Sequence, residues 1–212
     1  MNSIEDIFVE IRGKLEYDNE IREEVLKLSR KSIRTSSVII RHLHRREIEK
    51  AELMIQENKE LISTLNELSR KIDPSPFGIV LSAYQEYAES MLLYSFLNEK
   101  PFLTYTDLDI PYLAYLHGIT DYVGELRRVI LDALRKQKNI SFAVETLDYM
   151  DDLYSLLITL DFPDGLTYNL RKKTDFVRNL TEKTRGDVIL ALNRENLVDT
   201  INELLEDYRK KN

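Results

Sequence analysis

Two short blocks of the sequence carry paired carboxylates at helical spacing. Glu86 and Glu89 lie three residues apart in QEYAES, and Asp121 and Glu125 lie four apart in TDYVGELRR. Each spacing places its pair on one face of an α-helix. Two helices packed with those faces together would bring four acids to one point. Such a group repels itself unless a cation or protons neutralise it, so metal binding is the first chemistry to consider and phosphate chemistry the natural reaction. The chain has no cysteine and three histidines. Oxygen ligands therefore favour Mg2+ or Mn2+ over zinc.

Helices must position these groups, and the glycines and prolines show where the helices stop. Residues 4–47 read as mostly helical, with Asp18-Asn19 as a candidate break, and 48–71 continue in helical period. Asp73-Pro-Ser-Pro ends that run. Ser75 before Pro76 marks the start of a helix from about Phe77 to Leu97, since proline is tolerated at the first helical position. Residues 98–110 form the longest irregular stretch. Pro111 opens a helix to about Gln137, and Asn139 or Ser141 caps another reaching about Leu160. Asp161-Phe-Pro-Asp-Gly is a turn, and the chain is helical again from Leu166. No stretch shows sustained strand alternation, a repeat of 20–50 residues or low complexity. The expected fold is an all-α bundle of six or seven helices forming one domain over residues 1–212.

The two acid-bearing helices differ in pattern. Around 77–97, Phe77, Val80, Leu81, Tyr84, Ala88, Met91 and Leu92 make one apolar face, yet Glu86 and Glu89 share the other side with Ile79, Leu93, Phe96 and Leu97. A helix apolar nearly all round is a buried one, and glutamates on it need compensation from a cation, a proton or an arginine. On the next helix, Tyr112, Tyr115, Leu116, Ile119, Tyr122, Val123, Leu126 and Ile130 form a single apolar face. Burial there argues against base stacking by its tyrosines. Asp121 and Glu125 lie opposite, beside Gly118 and Gly124. Mid-helix glycine costs roughly 1 kcal/mol relative to alanine, so a backbone or a ligand is expected to come close. His117 and Arg128 share the face of Asp121; the histidine reads as a surface residue, and the arginine as a phosphate contact or a carboxylate partner.

Apolar residues make up 43% of the chain and charged residues 32%, the balance of a charge-rich globular protein, and no apolar run is long enough to span a membrane. The acidic start MNSIEDIFVE lacks the pattern of a secretory signal, which makes a cytoplasmic location the default expectation. A net charge of −7 argues against an indiscriminate nucleic-acid coat. Against that background Arg30, Lys31, Arg34, Arg41, Arg45 and Arg46 stand out, with no acid from residue 30 to 46. They are either backbone phosphate contacts or a solvated helix face. Arg171, Lys172, Lys173 and Arg178 form a second basic group.

At these residues the sequence resembles the translin family, and within it the branch of translin-associated factor X. YLHGITDYVGELRR is similar to the family's D-x-x-G-E-L-x-R helix, and SAYQEYAESMLLYSFL to that branch's E-Y-x-E segment. LSRKSIRTSSVIIRHLHR and NLRKKTDFVRNL are looser matches. The resemblance implies a metal-dependent endoribonuclease with Glu86, Glu89, Asp121 and Glu125 as its catalytic, metal-holding acids. Glu86, Glu89 and Asp121 would be ligands, and Glu125 a further ligand or the base that orients a water. In-line hydrolysis would leave 5′-phosphate and 3′-hydroxyl ends. The resemblance also implies self-association into a closed, hollow octamer with inward-facing sites, binding single-stranded RNA and in some members single-stranded DNA.

Three other readings compete with the nuclease. A non-catalytic translin-like module would hold single-stranded RNA or DNA without cutting it. A helical nucleotide pyrophosphohydrolase would also use E-x-x-E carboxylates on paired helices. A bundle with no ligand would carry the acids by chance.

Overall fold

The computed structural model describes residues 3–71, 77–137 and 139–211. The described residues form α1 (Ile4–His44), α2 (Ile48–Ser69), α3 (Phe77–Leu97), α4 (Tyr112–Asp132), a π-helical turn (Ala133–Gln137), α5 (Ile140–Leu157), α6 (Asp164–Thr167) and α7 (Leu170–Lys211), with no strand among them. The all-α expectation holds. Their contacts divide the chain into two compact units, Met1–Tyr122 and Val123–Asn212, with the boundary inside α4. No helix among the described residues is long and apolar enough to cross a membrane.

In the first unit α1 packs along α2 and α3. Its buried stripe runs through Ile21, Val25, Ser29, Ser32, Ser36, Ile39 and Leu43, spaced three and four apart as one helix face requires. It meets Ala51, Ile55, Ile62 and Leu65 of α2, all buried. The small serines let the helices approach, and buried Asn58 donates to Ser36 Oγ at 2.8 Å. Asp18 and Asn19 do not break α1, contrary to the sequence reading. Neither is glycine or proline, and their mid-helix propensity penalty of at most about 0.7 kcal/mol each is too small to end a propagating helix. Ser3 and Asp6 start the helix with a reciprocal capping box. From Ile4 to Leu15 the apolar side chains of this arm are exposed, Ile4, Phe8, Ile11 and Leu15 forming one stripe.

The turn into α2 rests on Arg46 in the left-handed region, φ 59°, and on His42 Nδ1 against Glu47 Oε2 at 2.5 Å. That hydrogen bond lowers the Glu47 pKa. The expected helix start at Ser75-Pro76 lies outside the described residues, but Phe77–Leu97 is helical with the predicted limits. From Ala83 to Ser95 it is buried on nearly every side, as its all-round apolar pattern implies. The irregular 98–111 stretch is tied back to the core. Asn66 donates to the carbonyl and carboxylate of Asp109 at 2.7 and 3.0 Å, Tyr84 donates to Asn66 Oδ1 at 2.5 Å, and Tyr115 donates to the Leu103 carbonyl at 2.6 Å.

In the second unit α5 packs on α7. Asn139 caps α5, its Oδ1 accepting from the Phe142 N–H at 3.1 Å. Arg185 holds both carboxylate oxygens of Asp151 at 2.7 Å. The last helix begins at Leu170 rather than Leu166, because Tyr168 and Asn169 both take left-handed backbone, φ 51° and 65°, and separate it from the short α6. Beyond Val188 the apolar residues of α7 turn outward, including Leu190, Leu197, Ile201 and Leu204.

Candidate acidic site and basic stripe

Three of the four acids, Glu86, Glu89 and Asp121, lie in the first unit, where α3 meets the start of α4; Glu125 belongs to the second. A Cβ placed on Gly118 would lie 2.6 Å from Ala88 Cβ, 2.9 Å from the Gln85 carbonyl oxygen and 3.4 Å from the Glu89 backbone nitrogen. The two helix backbones therefore touch here, and only glycine admits the contact. That bears out the close approach expected at Gly118. Gly124 has nothing within 4 Å of the corresponding point among the described residues.

The crossing sets the neighbours of the acids. Glu89 sits at it and is 8% exposed. Glu86 and Asp121 are half-buried. One turn past Gly118, the Asp121 carboxylate accepts a hydrogen bond from the Gln85 side-chain amide. Glu125 follows four residues later in α4; its side chain is 20% exposed and lies 3.6 Å from Arg128 Nη1. His117 is 4% exposed, which corrects the surface reading: α4 is enclosed on this side, where the sequence pattern suggested a solvated face. Tyr112 is corrected the other way. At 59% exposed it stands outside the core at the first turn of α4, whereas Tyr115 and Tyr122 are buried as expected. Burial pushes the phenol pKa values of Tyr84 and Tyr87 up, so both remain neutral hydroxyls.

The donor set suits a hard divalent cation in kind, being carboxylate oxygen throughout and partly shielded from water. It is not gathered as it stands. Among the described residues no three His, Asp or Glu side chains come close enough together to hold a metal ion.

The basic residues of α1 and of the turn that ends it are exposed, Arg30, Lys31, Arg34, Arg41, Arg45 and Arg46 alike. Projected at 100° per residue, Arg30, Arg34, Arg41 and Arg45 fall within about 60° of one another, along about 22 Å of helix at 1.5 Å per residue. Lys31 lies off this line and pairs with Glu57 at 2.7 Å. Arg127 is committed to structure, donating to Thr184 Oγ1 and Asp187 Oδ2 at 2.8 Å each. Arg128, about half exposed, pairs with Glu125. In the second basic group Arg171 and Arg178 are exposed, and Arg171 lies 3.9 Å from Asp161.

Gln85 escaped the sequence reading. The signal was its position four residues before Glu89, which puts both on the same face of α3.

The Translin family profile matches residues 20–185, a span that contains the crossing and the basic stripe. An uncharacterised protein of Methanocaldococcus jannaschii is 34% identical over 180 residues, covering 81% of this chain and 76% of its own. Among solved structures, AfC3PO in complex with duplex RNA is similar at 31% identity and a TM-score of 0.81, over 88% of this chain and 97% of that one. AfC3PO by itself gives 32% and 0.80 over the same shares. Apo-NeC3PO, at 24% identity and a TM-score of 0.81 over 90% and 100%, supports the fold. The chain belongs to the Translin family.

Proposed function

We propose that this protein is a Mg2+- or Mn2+-dependent endoribonuclease of the translin-associated factor X type. It acts on single-stranded RNA inside a closed homo-octamer, with Glu86, Glu89, Asp121 and Glu125 as its working acids. The observation that carries this reading is the α3–α4 crossing, where a glycine-only contact sets buried Glu89 close to the turn that carries Asp121. Burying carboxylates costs stability unless something compensates them. A divalent cation bound beside these acids would add a compensation that belongs to function. When bound, such an ion polarises the phosphate and acidifies a water. Exposed apolar stripes on α1 and α7 favour self-association.

The similarity to AfC3PO, solved with duplex RNA, favours RNA as the ligand and backbone contacts as the mode of binding. The α1 stripe supplies the cations for it. Replacing Arg34 and Arg41 together by alanine should weaken single-stranded RNA binding uniformly across sequences. It should also flatten the log-affinity against log-salt slope by about 1.4, at roughly 0.7 for each lost phosphate contact. An unchanged slope would return the stripe to an ordinary solvated face.

The deciding experiment is cleavage of end-labelled single-stranded and duplex RNA with Mg2+, Mn2+ or EDTA, followed by analysis of the product ends. Metal-dependent cutting with 5′-phosphate and 3′-hydroxyl ends is expected. Cyclic 2′,3′-phosphates would reject the hydrolytic mechanism. Intact RNA that is nonetheless bound, with or without metal, would favour the second reading, a translin-like RNA-binding protein, for which the duplex complex of AfC3PO is the specific support.

A further inference from the structure

We propose that the C-terminal half of α7 pairs with the same segment of a second copy of this chain, as an antiparallel two-stranded coiled coil; this rests on the self-association in the reading above. Leu190, Leu197 and Leu204 recur every seven residues, and Ile201 and Tyr208 stand four residues past the last two. All five are exposed, from 46% at Ile201 to 70% at Leu190. Spacings of three and four along about 27 Å of helix, at 1.5 Å per residue, make a coiled-coil seam that is covered only by a partner. Val198 and Leu205, each next to a seam leucine and about half exposed, widen the apolar band. The band lies past residue 185, where the match to the Translin profile ends, in the part of the chain that the profile leaves out.

Charge selects the occupant and its direction. The other exposed apolar stripe, on the α1 arm, carries Glu5, Asp6, Glu10 and Glu16 against Arg12 and Lys14. Laid on α7 it would face Glu195, Glu203 and Glu206, acid against acid. Two α7 segments pair better, provided they run in opposite directions. Arg194 holds the seam position four residues past Leu190 and is exposed. Parallel pairing would set it against Arg194 of the second copy inside the seam, and Glu203 and Glu206 beside their own counterparts. Antiparallel pairing matches Leu190 with Tyr208, Leu197 with Ile201 and Arg194 with Leu204, each contact occurring twice about the two-fold axis. The two arginines then stand about 15 Å apart along the helix, at 1.5 Å per residue, beyond the screening length of about 8 Å. Each lies level with the turn of the other copy that carries Glu203 and Glu206.

The chain has no cysteine, so single cysteines report the pairing. Each variant is oxidised with copper phenanthroline, run on a non-reducing gel, and weighed by light scattering before and after. Val198 lies one residue from the middle of the antiparallel pairing. Val198→Cys should therefore move most of the chain to twice its mass on the gel, with the mass in solution unchanged. Leu204→Cys should stay single, because antiparallel copies hold it about 15 Å from its counterpart along the helix. Adding Leu197→Asp and Ile201→Asp to Val198→Cys should abolish the cross-link with helical content kept, since both positions are exposed in the single chain. Cross-linking through Leu204→Cys would show parallel pairing and overturn the proposal. So would a Val198→Cys cross-link that survives the two aspartates or that raises the mass in solution. An assembly of wild-type mass with no Val198→Cys cross-link would overturn this pairing and leave the self-association standing. A wild type that runs as a single chain would overturn both.

Discussion

Glu89→Gln is expected to abolish RNA cleavage in a protein that folds and melts like wild type or slightly above it. The two effects should diverge because of where Glu89 sits. It is 8% exposed at the α3–α4 crossing, so its charge carries a desolvation cost that a neutral amide of the same shape does not. Glutamine keeps the volume and one acceptor oxygen, so packing against Gly118 is undisturbed. Function runs the other way. If the carboxylate helps to hold the cation and the water at the scissile phosphate, its loss removes several kcal/mol of transition-state stabilisation, at least about 100-fold in rate and more in practice. Asp121→Asn should behave alike in the cleavage assay. Residual cleavage within about threefold of wild type in both variants would sink the assignment of these acids. A fall in melting temperature together with the loss of activity in Glu89→Gln would instead show that its charge is needed for the fold.

The sequence carried the architecture further than it carried the site. Helix limits were legible where glycine, proline and capping residues mark them, as at Phe77–Leu97 and at the Asn139 cap. They were missed where the stop comes from left-handed backbone at ordinary residues, as at Tyr168 and Asn169. Periodicity identified α3 as buried, whereas the basic run on α1 was visible only as a local excess of charge, and its alignment along one face appeared with the helix itself. It could not assign His117 or Tyr112, because a single helix projection knows nothing of the neighbour that covers one residue and leaves the other open. The acid pairs were visible as spacings within each helix. The contact that joins the helices, Gly118 on Ala88 and the Gln85 carbonyl, is a tertiary fact with one sequence trace, a glycine in mid-helix.

That trace leads to a paired prediction with opposite signs. Gly118→Ala should destabilise the protein by up to about 2 kcal/mol, even though alanine is the better helix former. The new methyl would meet Ala88 Cβ at 2.6 Å and a backbone carbonyl at 2.9 Å, an overpacking that costs roughly 1–3 kcal/mol against about 1 kcal/mol of gained propensity. Relief requires α3 and α4 to separate, which moves Asp121 relative to Glu89 and Gln85. Cleavage and Mn2+ binding should therefore fall with stability. Gly124→Ala, with nothing within 4 Å among the described residues, should keep the propensity gain and raise the melting temperature by about 2–4 °C for a chain of this size. Ala88→Gly added to Gly118→Ala should recover part of the loss, because it removes the carbon contact but leaves the carbonyl one, and the two changes should couple favourably in a double-mutant cycle. Gly118→Ala melting at or above wild type would show that the helices do not touch there. The acidic site would then lose the contact that positions it. If Gly124→Ala gains stability but loses RNA binding, RNA comes close to α4 at that glycine, and the open space beside it is part of the site.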